Sequence, residues 1–362
     1  MPPAPTSADQ ESQRGIRPDA DCPHHAHAVD SAPPQHGAAG VKGVLLPVII
    51  VLVIGTIFVS VYLAAFHAPR PHRLPVAAVG SSQQIHNAGS GLDAGLSGGF
   101  DVKRYASEGE ARHALEHREV YAAYIGSGDT PKLLYAGANG PSVTGTVTEA
   151  FGAVAKAEGH SLAQRDVAPT SAGDTRGMSV FYAAFGLVLA GYLFGMMTYQ
   201  MAPRLQFRRR MVSLASFGVF GGLIIALIAG DTGFGALPGS FLTVAGLTAM
   251  MAAAAGGATM VFMRLFGMAG LSLASVVLLT LGNSTSGGFL PAQYLPGWLR
   301  PLSEILPVGV GVRAVQGASY FHNDGLVRGL VVLAAWIIGC AAILYAKDVG
   351  IGRRRRDRLA SA

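Results

Sequence analysis

The sequence predicts an α-helical polytopic membrane protein: six transmembrane helices, with a small α/β domain inserted on the extracytoplasmic side. Three observations carry this. Hydrophobic residues fill 50% of the 362 positions and charged residues only 13%, about half the usual share for soluble domains. One apolar run at 44–66 stands apart from five closely spaced runs within 178–346. Between them, residues 67–177 regain charge and alternate short β-like runs with helical patterns.

Residues 1–43 are rich in Pro, Ala, Asp, Ser and His and have no apolar periodicity, which predicts a disordered cytoplasmic tail. His24, His25, His27 and His36 could hold a metal, but incidental histidines in a polar tract are the simpler reading. A signal peptide does not fit, because the apolar core starts too far in and is too long. Residues 44–66 carry no charge and would make roughly 35 Å of helix, enough to cross a bilayer core of about 30 Å. This is the first transmembrane helix, a signal anchor preceded by Lys42, with Pro47 in its opening turns.

Residues 67–177 form the predicted α/β domain. Strands are expected at 74–80, 100–105, 121–126 and 132–138, and helices at 81–97, 107–120 and 141–158. Ser107 and Glu110 have capping-box spacing. His113 and His117 lie one helical turn apart, as a metal site would need. With Glu110, Glu116 and Glu119 around them, a solvated face is the plainer reading. No nucleophile–base set, phosphate loop or carboxylate pair stands out, so an enzyme is not expected. The two cysteines, Cys22 and Cys340, both lie outside this domain and offer it no disulfide.

The five later spans are read at 178–200, 212–230, 241–263, 265–282 and 326–346. Gly191 and Gly195 have GxxxG spacing, and Gly256 and Gly257 follow a run of Ala; such small faces imply helix–helix contact. Orientation follows from the basic links. Arg204, Arg208, Arg209 and Arg210 sit in 201–211 without an acid, Arg264 lies at the next tight link, and the 347–362 tail is basic. Both termini are therefore expected in the cytoplasm of a multi-pass plasma-membrane protein, with the α/β domain outside. These arginines either contact a partner or only fix orientation and touch anionic lipid. Because the basic residues flank apolar runs and form no patch on a folded domain, nucleic acid is not an expected partner.

The loop at 283–325 contains Gly287, Gly288, Pro291, Pro296, Pro301 and Pro307, with apolar runs too short to span. It predicts a re-entrant or interfacial segment, with 305–315 as a helix. Trp298, Tyr294, Tyr320 and Phe321 are expected among lipid headgroups. Asn283-Ser284-Thr285 matches a glycosylation acceptor but is read as incidental so near a span end.

HRLPVAAVG (72–80), FDVKRYASEGEARHALEHREVYAAYIG (100–126) and LGNSTSGGFLPAQYLPGWLRPLSEILPVGVGVRAVQGASYF (281–321) follow one another in this order. Together with one span, an α/β domain and five more spans, they resemble the type-2 ABC exporter permeases, closest to the YhgE/Pip (phage infection protein) branch. The resemblance covers about 44–346. It implies a homodimer working with a separate cytoplasmic P-loop ATPase to export lipids, polysaccharides or drugs, with no cofactor of its own. Residues 283–325 would match the family's re-entrant helices, with Gly287, Gly288, Pro291, Pro296, Trp298 and Pro307 shaping the turn. Residues 201–211, with Arg204 and Arg208 to Arg210, would match the link near the ATPase. The link is short for a coupling helix, the N-terminal tail has no clear amphipathic helix, and GxxxxGK[ST] is absent from the sequence. A non-transporting protein whose outer domain binds an envelope component is the competing expectation.

Overall fold

The computed structural model describes residues 41–127 and 130–360, with side chains described over 45–127 and 130–349. The predicted tail at 1–40, with its histidines and Cys22, lies outside the described residues. Helix α1 (Val41–Phe66) opens three residues before the expected boundary.

Six consecutive elements follow as a βαβ-type layer: β1 (Leu74–Val79), α2 (Ser82–Gly95), β2 (Phe100–Arg104), α3 (Glu108–Glu116), β3 (Ala122–Ile125) and β4 (Lys132–Tyr135). Helix α4 (Pro141–Ala157) and β5 (Ala163–Asp166) complete it. The five-stranded sheet runs β2-β1-β3-β4-β5, with β3 and β4 antiparallel and the other neighbours parallel. Parallel neighbours need covered faces. Leu92, Val143, Val147 and Phe151 from α2 and α4 cover one side, and Ala111, Ala114 and Leu115 from α3 the other.

Three local expectations change. The strand expected at 132–138 stops at Tyr135, and Gly137–Asn139 makes a 3-10 turn held by Asp166, whose carboxylate accepts from Gly137 N at 2.9 Å. β5 is an added strand, missed because AQRD is polar and largely exposed at a sheet edge. Ser107 caps α3 as expected, accepting from Glu110 N at 3.2 Å, but the Glu110 carboxylate takes the Ala106 amide. The complete capping box is at Ser81 and Gln84.

The rest is a helix bundle: α5 (Ser179–Met201), α6 (Phe207–Ala229), α7 (Phe241–Phe266), α8 (Met268–Ala274), α9 (Arg300–Ile305), α10 (Pro307–Tyr320) and α11 (Leu326–Ala360). Among the described residues, five helices, α1, α5, α6, α7 and α11, are long and apolar enough to cross a membrane. The fifth expected span in chain order, 265–282, starts late and is short. A one-residue link at Gly267 (φ 60°) precedes α8, which passes into a π-helical stretch, Ser275–Gly282. Met268–Gly282 reaches only about 22 Å as an ideal helix, short of a full bilayer core.

α7 is the bundle's axis, 61% buried over its most apolar stretch against 11% for α1. Its small residues let neighbours in. Gly191 of α5 is so close that a Cβ there would sit 2.8 Å from that of Ala255, and one on Gly195 would meet Thr259 at 2.6 Å. Gly218 of α6 faces Ala249 O and Ala253 in the same way. The predicted GxxxG face is thus spent inside the chain, against α7. α11 runs past the expected end at 346 as helix to Ala360.

Candidate functional site

Residues 283–325 link the bundle to the α/β domain. The π-helical stretch ends in four buried polar residues, Asn283 to Ser286. Their side chains turn back on the helix: Asn283 Nδ2 donates to Leu279 O at 3.2 Å and Thr285 Oγ1 to Leu281 O at 2.7 Å, while Asn283 Oδ1 has no partner. The glycosylation match is therefore sealed inside the fold. Gly287 (φ 77°) turns the chain, and Gly288 passes so near Phe181 of α5 that a Cβ would sit 2.9 Å from the ring-bearing carbon. Pro291 leads into the 3-10 turn Ala292–Tyr294, Pro296 precedes the turn before α9, and Pro307 opens α10, where a missing amide donor costs least.

The aromatic expectation needs correction. Only Trp298 is strongly exposed, at 61%. Tyr294 joins Leu74, Val143 and Phe151 in one domain core, and Phe321 joins Leu115 and Ala111 in the other. Tyr320 is half-buried and donates to Ala236 O at 3.2 Å. Aromatic content in a loop beside a span suits a headgroup layer and a folded domain equally; here the domain takes three of the four.

Arg118 ties the two parts together. It follows α3 with φ 53° and is 7% exposed. Its Nε donates to Asp324 Oδ2 (2.8 Å), one Nη to Gln316 Oε1 (3.2 Å) and the other to the Arg313 and Asp324 carbonyls (2.7 and 3.0 Å). Its guanidinium stacks over Phe321, 4.7 Å from the ring centre. Burial, and next Arg313, push its pKa down to about 10, against the pull of Asp324. Tyr121 donates to Gln293 Oε1 at 3.0 Å, and burial raises its pKa. Arg300 donates to His72 O at 3.2 Å.

These contacts frame a cavity of about 110 Å3 lined by Arg118, Gln293, Glu304, Arg313, Gln316 and Arg328, among others. Arg328 pairs with Glu304 at 2.7 Å and Arg313 with Asp324 at 3.0 Å. Three guanidinium groups thus meet two carboxylates, and the lining suits a polar, anion-bearing group. Of the residues expected to shape the turn, Gly287 and Pro291 line this cavity; Gly288 packs on α5, Pro307 is buried in α10, and Pro296 and Trp298 do not line it.

The four arginines of 201–211 part company at the opposite end of the bundle. Arg208, Arg209 and Arg210 belong to the first turn of α6, which starts five residues earlier than expected. Arg204, Arg208 and Arg209 are exposed, whereas Arg210 is 3% exposed. Arg210 reaches Asp348 of α11 at 3.4 Å and donates to Leu205 O at 3.0 Å, over the Tyr199 ring at 4.9 Å. Arg264 meets the other Asp348 oxygen at 3.0 Å. Asp348 was overlooked because it stands in a basic tail; it is the nearest acid to follow the last apolar run. At 3% exposure Arg210 offers no surface for a partner protein to dock on.

Elsewhere, the His113 and His117 rings stack at 4.1 Å, and His322 stacks on His117 at 5.5 Å. No group of three or more His, Cys, Asp or Glu among the described residues is placed to hold a metal. Cys340 is free and buried against Gly257. Compared with models of known families, with curated proteins and with solved structures, the chain finds no match.

Proposed function

We propose that this multi-pass membrane protein is the permease subunit of an ABC-type exporter for a lipid, polysaccharide or amphipathic drug-like substrate, energised by a separate ATPase. The observation that carries this reading is the interrupted hairpin. Met268–Gly282 stops short, buried polar residues follow, and α9 and α10 return beside a cavity lined by arginines. Irregular backbone among membrane helices is stable only when buried in protein or lining a cavity, and anchors have no need of it. In this reading Met268–Gly282 and its continuation complete the six crossings, both termini are cytoplasmic, and 283–325 is re-entrant. The apolar, nearly uncovered α1 faces lipid or a second copy in a homodimer, and Arg204, Arg208 and Arg209 face the ATPase. The scarcity of acids within the spans disfavours an ion relay.

A second reading, a non-transporting protein whose α/β domain binds an envelope component, draws support from the close packing around α7 and the small cavity. Removing 67–177 would not separate the two cleanly, because Leu290, Tyr294 and Phe321 would lose the core that buries them. Mild detergent extraction of tagged protein, followed by mass spectrometry, does separate them. A P-loop ATPase recovered in near-equal amount supports the exporter; envelope proteins without an ATPase overturn it.

A further inference from the structure

The arginine end of the bundle holds a second concave site; the exporter reading draws on its rim residue Arg204, but neither reading uses its interior. It is a cleft of about 480 Å3 where the end of α5, the start of α6 and the end of α7 meet α11 at Asp348, lined by Tyr199, Arg204, Phe207, Arg210, Arg264 and Asp348, among others. Among the described residues three guanidinium groups face one carboxylate, an excess of two positive charges. Both Asp348 oxygens are already engaged, one by Arg210 and one by Arg264. Arg204 has no ion pair among the described residues and is exposed. Two buried polar atoms at this site, Arg210 Nε and Tyr199 Oη, have no hydrogen-bond partner among the described residues. Buried polar groups are seldom left unsatisfied without a missing partner.

We propose that this cleft binds the phosphate-bearing headgroup of an anionic phospholipid. Arginine pairs well with phosphate through charge-assisted, often bidentate bonds, and basic pockets between membrane helices are suited to such headgroups. The apolar part of the wall distinguishes a lipid from free phosphate. Leu205 and Phe207 line the cleft beside the charges, and the strongly exposed apolar residues Met201, Val212 and Tyr345 stand close by in the chain. Acyl chains leaving the cleft would lie along this surface. The inference holds whether or not the chain transports anything.

The test is native mass spectrometry of the full chain, released from nanodiscs of phosphatidylglycerol mixed with phosphatidylcholine. One retained phosphatidylglycerol, preferred over phosphatidylcholine, is expected. Arg204→Gln should weaken retention about fivefold, the factor matching ~1 kcal/mol per arginine near a membrane surface, and Arg204→Lys should restore most of it. Arg208→Gln, exposed on the same end but not lining the cleft, should change little. Equal losses in the Arg204 and Arg208 variants would mean a diffuse basic surface and overturn the site. Equal retention of both lipids would also overturn it, as would full competition by inorganic phosphate. An ATPase failing to co-purify would count against the exporter reading and leave this result untouched.

Discussion

Arg118 and Asp324 are 206 positions apart in the chain yet meet through an Nε–Oδ2 bond of 2.8 Å. Arg118 occupies the residue after the α3 cap in the left-handed region, where glycine usually sits. A non-glycine residue there costs on the order of 1 kcal/mol, so the side chain must be worth more than the strain. Its four hydrogen bonds and the Phe321 stack supply the return. Arg118→Ala should destabilise the protein by about 2–4 kcal/mol, because Gln316 and two carbonyls lose their donor while Asp324 keeps only Arg313. Arg118→Gly loses the same bonds but relieves the backbone, so it should be milder by about 0.5–1 kcal/mol. Thermal unfolding in detergent ranks the two; a lower midpoint for the glycine variant would contradict the strain argument. Asp324→Ala combined with Arg118→Ala should cost less than the sum of the single changes.

What was legible in the sequence followed from period and composition. Apolar length placed α1, α5, α6 and α7 to within about five residues and the start of α11, though not its end at Ala360, and alternation placed β1 to β4 and their helices. What escaped was long-range. Nothing local in HREV marks Arg118 as a buried lock, and nothing in AKDVG marks Asp348 as the acid shared by Arg210 and Arg264. The one local sign of Arg118 was a helix ending without glycine. The shortness of the 265–282 span also escaped, because hydropathy counts apolar residues and cannot register the π-helical stretch or the burial of Asn283 to Ser286. The aromatic residues of 283–325 were assigned to the headgroups for the same reason: composition does not say what covers a ring.

Asp348 yields the next prediction. Its carboxylate sits between Arg210, whose side chain is 3% exposed, and Arg264, at 21%. Asp348→Asn keeps the shape but leaves two guanidinium groups facing each other without a counter-charge. The cost should be about 3 kcal/mol, since an uncompensated buried charge is what makes breaking such pairs expensive. Arg264→Gln should cost less, because water reaches Arg264 and Arg210 keeps Asp348. The order Asp348→Asn below Arg264→Gln in thermal midpoint is the check, and equal midpoints would argue against a shared carboxylate.

The glycines of the bundle separate by position. Gly191 has Ala255 Cβ and Gly256 N within 3 Å of where its own Cβ would stand, whereas Gly55 of α1 has nothing within 4 Å. Gly191→Ala should therefore push α5 off α7 and destabilise the bundle by about 1–3 kcal/mol, as overpacking does. Gly55→Ala should be neutral or slightly stabilising, because alanine has the better helix propensity. Thermal stability in the same detergent distinguishes them. A destabilising Gly55→Ala would reveal a second chain pressed on that face of α1, as the homodimer requires if Gly55 lies in its contact.

Alkaline stability gives a test of the shared domain core. Burial pushes the Tyr124 hydroxyl up to about 12, helped by Glu158, whose carboxylate accepts its proton at 3.4 Å. Burial also pushes Tyr294 up to about 12. Each tyrosine therefore holds its proton more tightly folded than unfolded, where about 10 is usual. Their contribution is complete below about pH 10 and is lost as pH rises through about 12. Stability should fall above about pH 10, and less steeply in Tyr124→Phe and Tyr294→Phe. Tyrosinate absorbance followed alongside the unfolding signal is the measurement. If the Tyr294 variant left the alkaline limb unchanged, the 283–325 segment would not share its core with the α/β domain, because Tyr294 would then ionise as a solvent-exposed phenol.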